Sequence, residues 1–319
     1  VLVSKMKTPI FKVIKPGLQT TVQDLGRYGF REYGVSPSGA MDSYSLQMGN
    51  LLVGNVLGEA ALEAPLIGPV LLALHDVSIA ICGGNFTPKI NNKEVHLWKC
   101  TVIKKGQTLS FGRVKEGART YISVAGGIHV PLVLNSKSTY LTGKFGGMDG
   151  RALKEGDILY GKPCIRRNRF LHAKFIPEYT NPLTIRIIAG PHKDKFTSLG
   201  LETFLTGEYI ISPQSNRMGY QLSGPKIEHS STADIISDAI PLGGIQVPSS
   251  GQPIILMAEH QTTGGYSRIG TVISTDIPLL AQAKPGTMVR FKEISLQSAQ
   301  NLIIECKKMI KYLNLLSRS

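Results

Sequence analysis

The chain has 319 residues, of which 42% are hydrophobic, and a mean hydropathy of +0.03; this is core material for about two globular domains, with no apolar stretch long enough to span a bilayer. Its net charge of +14 is spread over short clusters (Lys104-Lys105, Arg166-Arg167-Asn168-Arg169 and Lys307-Lys308) rather than a basic stripe interleaved with aromatics, so no nucleic-acid partner is expected and a small anionic substrate is. Cys82, Cys100, Cys164 and Cys306 show no CxxC spacing and the histidines are dispersed, which speaks against a zinc site or a secreted disulfide framework; no metal is expected.

Along the chain, Val1 to Lys5 precede Met6-Lys7-Thr8 and read as an upstream extension. The absence of an apolar leader points to a cytoplasmic protein with no membrane association. Short strands between turn signals then dominate: Phe11 to Ile14 before Pro16-Gly17, Val77 to Ile81 before Gly83-Gly84, and Tyr121 to Val124 before Gly126-Gly127. A helix is expected after Asp42, with Leu46, Asn50 and Val53 on one stripe and Asp42 or Ser43 as N-cap. From Gly161 to Pro182 the composition shifts to proline and arginine, as in a connector. The second half resumes with strands at Ile185 to Ala189 before Gly190-Pro191 and at Ile254 to Met257. It closes on a helix in which Leu296, Ala299, Ile303, Cys306, Ile310 and Leu313 recur every three or four residues behind Ser295 as cap. The halves echo each other: Arg27-Tyr28-Gly29-Phe30 has the same arginine-x-glycine-aromatic order as Arg217-Met218-Gly219-Tyr220. The expected fold is mainly β, in two barrel-like domains spanning residues 1–165 and 166–319, with few short helices and a closing C-terminal one.

Common catalytic signatures are missing from the sequence: there is no GxSxG elbow, no GxxxxGK[ST] phosphate loop and no HExxH. What remains are polar groups mixed with glycine. They are Gln23, Asp24 and Arg27; Ser38, Gly39 and Asp42; residues 146 to 151; Asn216 to Tyr220; and the run Leu256-Met257-Ala258-Glu259-His260-Gln261-Thr262-Thr263-Gly264-Gly265-Tyr266. That run sets a carboxylate, an imidazole, an amide, two hydroxyls, a Gly-Gly pair and a phenol behind an apolar strand. From spacing alone, a decorated turn and a ligand-lining loop fit equally well. Arg27 and Arg217 suit a bidentate fork on a substrate carboxylate, and equally a structural ion pair. Glu259 and Asp24 suit a general base or an orienting group, and Tyr266, Thr262 and Thr263 suit donation to a developing oxyanion. His260 and His129 read as ordinary histidines.

These pieces together resemble the allophanate hydrolase subunit 2 family, which includes the Kip antagonist and the C subunit of the bacterial ATP-dependent 5-oxoprolinase. The resemblance opens at Lys15-Pro16-Gly17-Leu18-Gln19-Thr20-Thr21-Val22-Gln23-Asp24-Leu25-Gly26-Arg27. It continues through Ser38-Gly39-Ala40-Met41-Asp42, Ala61-Leu62-Glu63, Ser136-Lys137-Ser138-Thr139 and Asn216-Arg217-Met218-Gly219-Tyr220, then Gly244-Ile245-Gln246-Val247-Pro248 and the run ending at Tyr266. The chain departs from the family at Glu259-His260, where members often carry Asp-Arg, and at Tyr266-Ser267-Arg268, where they often carry Tyr-Pro-Lys. The resemblance implies two cyclophilin-like barrels and a relation to the carboxyltransferase portion of urea carboxylase. It also implies work beside B-subunit and A-subunit homologues of the 5-oxoprolinase, with ATP used at the level of the complex. On this reading Glu259, Asp24 and Tyr266 are the catalytic candidates. Arg27, Arg217, Gln246, Gln261, Thr262, Thr263, Gly264 and Gly265 are the substrate-binding candidates. Two other functions stay open: biotin-dependent carboxyl transfer to a urea-like substrate, for which Lys5-Met6-Lys7 lacks the setting of a biotinyl-lysine, and regulation by sequestering a kinase inhibitor homologous to the B-subunit.

Overall fold

A computed structural model describes residues 8–166 and 168–317. The expected upstream extension, the Lys5-Met6-Lys7 segment and Arg167 of the basic run lie outside the described residues. The chain divides into two compact units. Of the described residues, the first takes in those within 1–27, 42–177 and 313–319, the second those within 28–41 and 178–312.

The first unit holds β1 (Thr8–Lys15), β2 (Thr21–Gln23), α1 (Ser43–Leu52), β3 (Ala61–Pro65), β4 (Val70–Ala73) and β5 (Val77–Asn85). After them come β6 (Lys89–Ile90), β7 (Lys93–Glu94), β8 (Cys100–Ile103), β9 (Thr108–Ser110), β10 (Glu116–Val124) and β11 (Ile158–Gly161). They pair into a six-stranded sheet, β11-β1-β4-β9-β6-β7, and a five-stranded sheet, β2-β3-β10-β5-β8. β5 is apolar without alternation and is buried along both faces up to Gly84, as a strand covered on both sides should be. Its glycines are not a turn: Gly83 pairs with Thr120 inside the ladder to β10. The α1 helix begins where its sequence says it should, with the Asp42 carboxylate accepting from Ser45 N at 2.9 Å, one of the donors a helix start leaves unsatisfied. A close approach to β10 fixes Gly49 in this helix, because a Cβ there would lie 2.5 Å from Ser123 Oγ. The expected connector folds back onto this unit: Cys100 N donates to Arg169 O and Leu171 N to Trp98 O.

The second unit holds β12 (Leu183–Ala189), α2 (Ser198–Thr206), β13 (Tyr209–Ile211), β14 (Gly219–Ser223), β15 (Asp234–Ala239) and β16 (Gly244–Gln246). It continues with β17 (Ile254–Leu256), β18 (Thr263–Tyr266), β19 (Arg268–Val272), α3 (Ile277–Ala281), β20 (Met288–Glu293) and α4 (Leu296–Leu316), whose last turn counts with the first unit. Seven strands close a barrel in the order β12-β19-β16-β17-β14-β13-β20; closure comes from parallel pairing of β12 with β20, Leu183 opposite Val289. Closure leaves no edge in that sheet to be shielded. Inward residues such as Ile185, Tyr209, Ile245, Ile255 and Val289 are fully buried, and Phe204 of α2 stacks on Phe291 with ring centroids 4.6 Å apart. Outside the barrel, β15 and β18 form a two-stranded ribbon. The mainly β architecture with a C-terminal helix is as the sequence implied. The α2 and α3 helices are among the few short helices expected, at positions the sequence did not single out.

Candidate functional site

In the second unit, β17 ends at Leu256 and the chain turns through Ala258 and Glu259 before β18. The turn is tied to the neighbouring strand at both ends: Met257 N donates to Met218 O and Glu259 N to Arg217 O, at 2.9 and 2.8 Å. This pairing sets the side chains of Arg217 and Glu259 against each other. Arg217 Nε lies 2.6 Å from Glu259 Oε1, with both residues buried. Arg217 Nη2 also donates to Gly39 O at 2.6 Å, and Ser38 Oγ donates to Glu259 Oε1 at 3.3 Å. Ser36 Oγ completes the frame with a bond to Ala258 O at 3.1 Å. Ser38 and Gly39 take φ of 56° and 88°, left-handed backbone that presents the Gly39 carbonyl to the guanidinium. Arg217 and Glu259 are therefore committed to one another in the folded chain, the ion-pair alternative of the two the sequence left open. A buried charge needs such a partner.

His260 follows directly. Nδ1 faces Met257 O, and Nε2 faces Ile240 O at 3.2 Å. Burial depresses its pKa, the Arg31 charge adds to that, and the two backbone carbonyls work against them. The imidazole is thus held toward its neutral form, in which only one of its nitrogens donates. Arg31, not singled out in the sequence, caps this corner by donating to Ile240 O and, at 3.5 Å, to Thr262 O.

Next to the turn lies a cleft of about 240 Å³. Four carboxamides line it, those of Asn216, Gln221, Gln246 and Gln261, together with His260 and Tyr266. Gln246 is buried, and its Nε2 donates to Tyr266 O at 3.3 Å. Tyr266 is 41% exposed, so its phenol is open to a ligand. The Gly264-Gly265 pair is not a turn. Both residues lie in β18, with Gly264 opposite Asp238 in the ribbon, and neither has a positive φ. Gly264 instead makes room, since a Cβ there would sit 2.9 Å from Gln246 Nε2 and 3.1 Å from Gln261 Nε2. Thr262 binds through its carbonyl to Ile240 N at 3.1 Å, Thr263 pairs with Ala239, and neither threonine is in the cleft wall. Of the expected site residues in this unit, Gln246, Gln261 and Tyr266 share the cleft, while Arg217 and Glu259 stand behind it. Gln221 was not singled out as a site residue, although it directly follows the Asn216–Tyr220 motif.

Asp24 and Arg27 belong to the first unit, where they form a second frame. Asp24 accepts from Gly26 N, Ser136 Oγ, Lys137 N and Ser138 Oγ at 2.5–2.8 Å. Arg27 is 1% exposed. It donates to Ser138 O and Val133 O, and its guanidinium lies 4.8 Å from the Phe145 ring centroid, a cation–π distance. The two frames have the same parts. Each has a Ser-x-Ser loop (Ser136-Lys137-Ser138 or Ser36-Pro37-Ser38) whose second serine bonds a carboxylate, and an arginine that donates to the carbonyl of the second serine (Ser138) or of the residue after it (Gly39). In each loop the second serine's N–H turns back onto the first serine's Oγ, at 3.0 and 3.4 Å. Among the described residues, no group of three or more His, Cys, Asp or Glu is placed to hold a metal, and no helix is long and apolar enough to cross a membrane.

The carboxyltransferase domain profile, subdomains A and B, matches residues 33–293. The chain belongs to the carboxyltransferase domain family. Within it, the chain is 38% identical over 291 residues to the Escherichia coli protein named as the C subunit of 5-oxoprolinase, covering 91% of this chain and 93% of that one. The Haemophilus influenzae protein of the same name is 37% identical over 286 residues, covering 89% of this chain and 91% of the relative. Among solved structures, the Kluyveromyces lactis urea amidolyase superposes with a TM-score of 0.89 at 32% identity, over 98% of this chain. The chain spans 20% of that much longer enzyme. These similarities cover nearly the whole chain, as the family resemblance read from the motifs does.

Proposed function

We propose that this chain is the C subunit of an ATP-dependent 5-oxoprolinase, which opens the lactam of 5-oxoproline to L-glutamate together with A-subunit and B-subunit homologues. The observation that carries the reading is the 37–38% identity to proteins of that name across 91–93% of their lengths. The cleft supplies a chemical reason. A lactam presents an N–H and a C=O side by side, and Asn216, Gln221, Gln246 and Gln261 each offer a donor and an acceptor. The Tyr266 phenol serves as a donor to the oxyanion that forms when water attacks the lactam carbonyl, and such donors act most strongly in a water-poor cleft. Glu259 and Arg217 act here as positioning residues: their ion pair locks the turn that carries His260 and Gln261 instead of touching the substrate. Asp24 and Arg27 play the same supporting part in the first unit. ATP is assigned to the complex as a whole, and the isolated chain is inactive in this account.

The reading is tested by co-expressing the chain with its A and B homologues and measuring ATP hydrolysis with and without 5-oxoproline. Stimulation by 5-oxoproline, lost when this chain is omitted and reduced about tenfold or more by Gln246→Leu, is the expected result. Hydrolysis indifferent to 5-oxoproline would remove the reading. The likeness to the urea amidolyase over 98% of this chain favours a second one, in which the same carboxamides hold a urea-like nitrogen for carboxyl transfer from biotin. Co-purification of a biotinylated partner, with bicarbonate-dependent ATP use, would select it.

A further inference from the structure

A second cavity, of about 430 Å³, lies in the first unit. Leu51, Leu52, Leu171 and Leu313 line its wall, Phe170 and Leu316 stand at its mouth, and Arg169 and His172 line it as well. The mouth residues are 72% and 53% exposed; the volume is that of a small-molecule site. Among the described residues the lining carries no carboxylate. Arg169, which lines the cavity, has a second guanidinium near it, that of Arg166, which does not itself line the cavity. Arg169 Nη1 and Arg166 Nε lie 3.3 and 3.5 Å from one point, the place a Cβ on Gly54 would occupy. Among the described residues neither has an ion-pair partner. Two like charges held this close repel. The C-terminal end of α1, which stops two residues before Gly54, offers only about half a unit of counter-charge. The site therefore has an apolar body and an uncompensated cationic end.

We propose that this cavity binds a small amphipathic anion, with its apolar chain among the leucines and its carboxylate on Arg169 and Arg166. Arginine suits that end, because its planar fork binds a carboxylate through two parallel hydrogen bonds. The cavity shares no residue with the carboxamide cleft, so this inference does not depend on the reaction proposed for that cleft. A purely apolar occupant is disfavoured by the charge: it would leave both guanidinium groups without a counter-ion.

The test is calorimetric titration of the full chain with octanoate and, as the uncharged match, 1-octanol. Octanoate is expected to bind saturably at one site, at least about tenfold more tightly than octanol. Arg166→Ala/Arg169→Ala is expected to erase that preference, and Phe170→Ala to weaken both ligands, with 5-oxoproline-dependent ATP hydrolysis by the reconstituted complex unchanged. Both arginines and Phe170 are at least partly exposed, so these variants keep the fold, which circular dichroism checks. Absence of saturable binding, equal affinity for the two ligands, or a double variant that binds octanoate as the parent does would each overturn the proposal.

Discussion

The two carboxylates that looked most like catalytic bases, Glu259 and Asp24, are each the acceptor at the centre of a buried frame. Glu259 neutralises Arg217 at 2.6 Å, so removing its charge strands a buried guanidinium. Glu259→Gln is expected to cost about 3–5 kcal/mol of stability, read as a lower urea midpoint with an unchanged m-value. A loss under about 1 kcal/mol would show that the pair is not a structural strut. Asp24 accepts four hydrogen bonds, and Asp24→Ala is expected to cost on the order of 3 kcal/mol or more, since bonds to a charged acceptor are the strong ones. His260 gives a pH test. Burial lowers its pKa below the ordinary 6.5, and burial does the same for His229. A depressed histidine favours the folded state while neutral, so its contribution is full above about pH 6.5 and is lost as pH falls through that value toward the folded pKa. The melting temperature is therefore expected to drop between about pH 7.5 and 5.5, and His229→Asn/His260→Asn is expected to flatten that drop. An unchanged slope in the double variant would refute it.

At the level of elements, β18 decides how the cleft is shaped. A methyl group on Gly264 would press on Ile240 Cδ1 and on the Gln246 and Gln261 amides, whereas one on Gly265 meets nothing nearer than 3.5 Å. Gly264→Ala is expected to lower substrate-dependent turnover by roughly 10–100-fold through displaced carboxamides, and Gly265→Ala to leave it within a few-fold. Equal effects would mean that the glycines serve the ribbon and not the cleft. The same strand shows what a sequence reveals and what it hides. The apolar segments that became β1, β5, β10, β12 and β17 announced themselves, as did the Asp42 cap of α1 and the three-four spacing of α4. Gly83-Gly84 and Gly264-Gly265 did not, because a strand accepts glycine where another group approaches closely, and spacing cannot separate that use from a turn. The α2 and α3 helices have nine and five residues, too few for a periodic stripe to stand out. Within the site, the chemistry of residues 256–266 was visible but its partners were not. Ser38 meets Glu259 from 221 residues away, a juxtaposition that only the folded chain creates.

Across the whole molecule, each unit carries one Ser-x-Ser frame with its carboxylate and arginine, and the cleft of carboxamides belongs to the second. The arginines of Arg27-Tyr28-Gly29-Phe30 and Arg217-Met218-Gly219-Tyr220 act alike: one donates to the second serine's carbonyl and the other to the carbonyl just after it. In the cleft the polar groups are four amides, one imidazole and one phenol, and under the proposed function they hold a neutral amide group in place while the driving force comes from elsewhere. This is the part expected of one subunit in an ATP-coupled lactam hydrolase. The most direct check is to follow glutamate release from 5-oxoproline by this chain co-purified with its A and B homologues, with the chain present, absent, or carrying Gln246→Leu. ATP-dependent glutamate formation that requires the chain and falls about tenfold or more with the substitution is the expected result. Glutamate formed at the same rate without the chain, or none formed by the complete set, would contradict it.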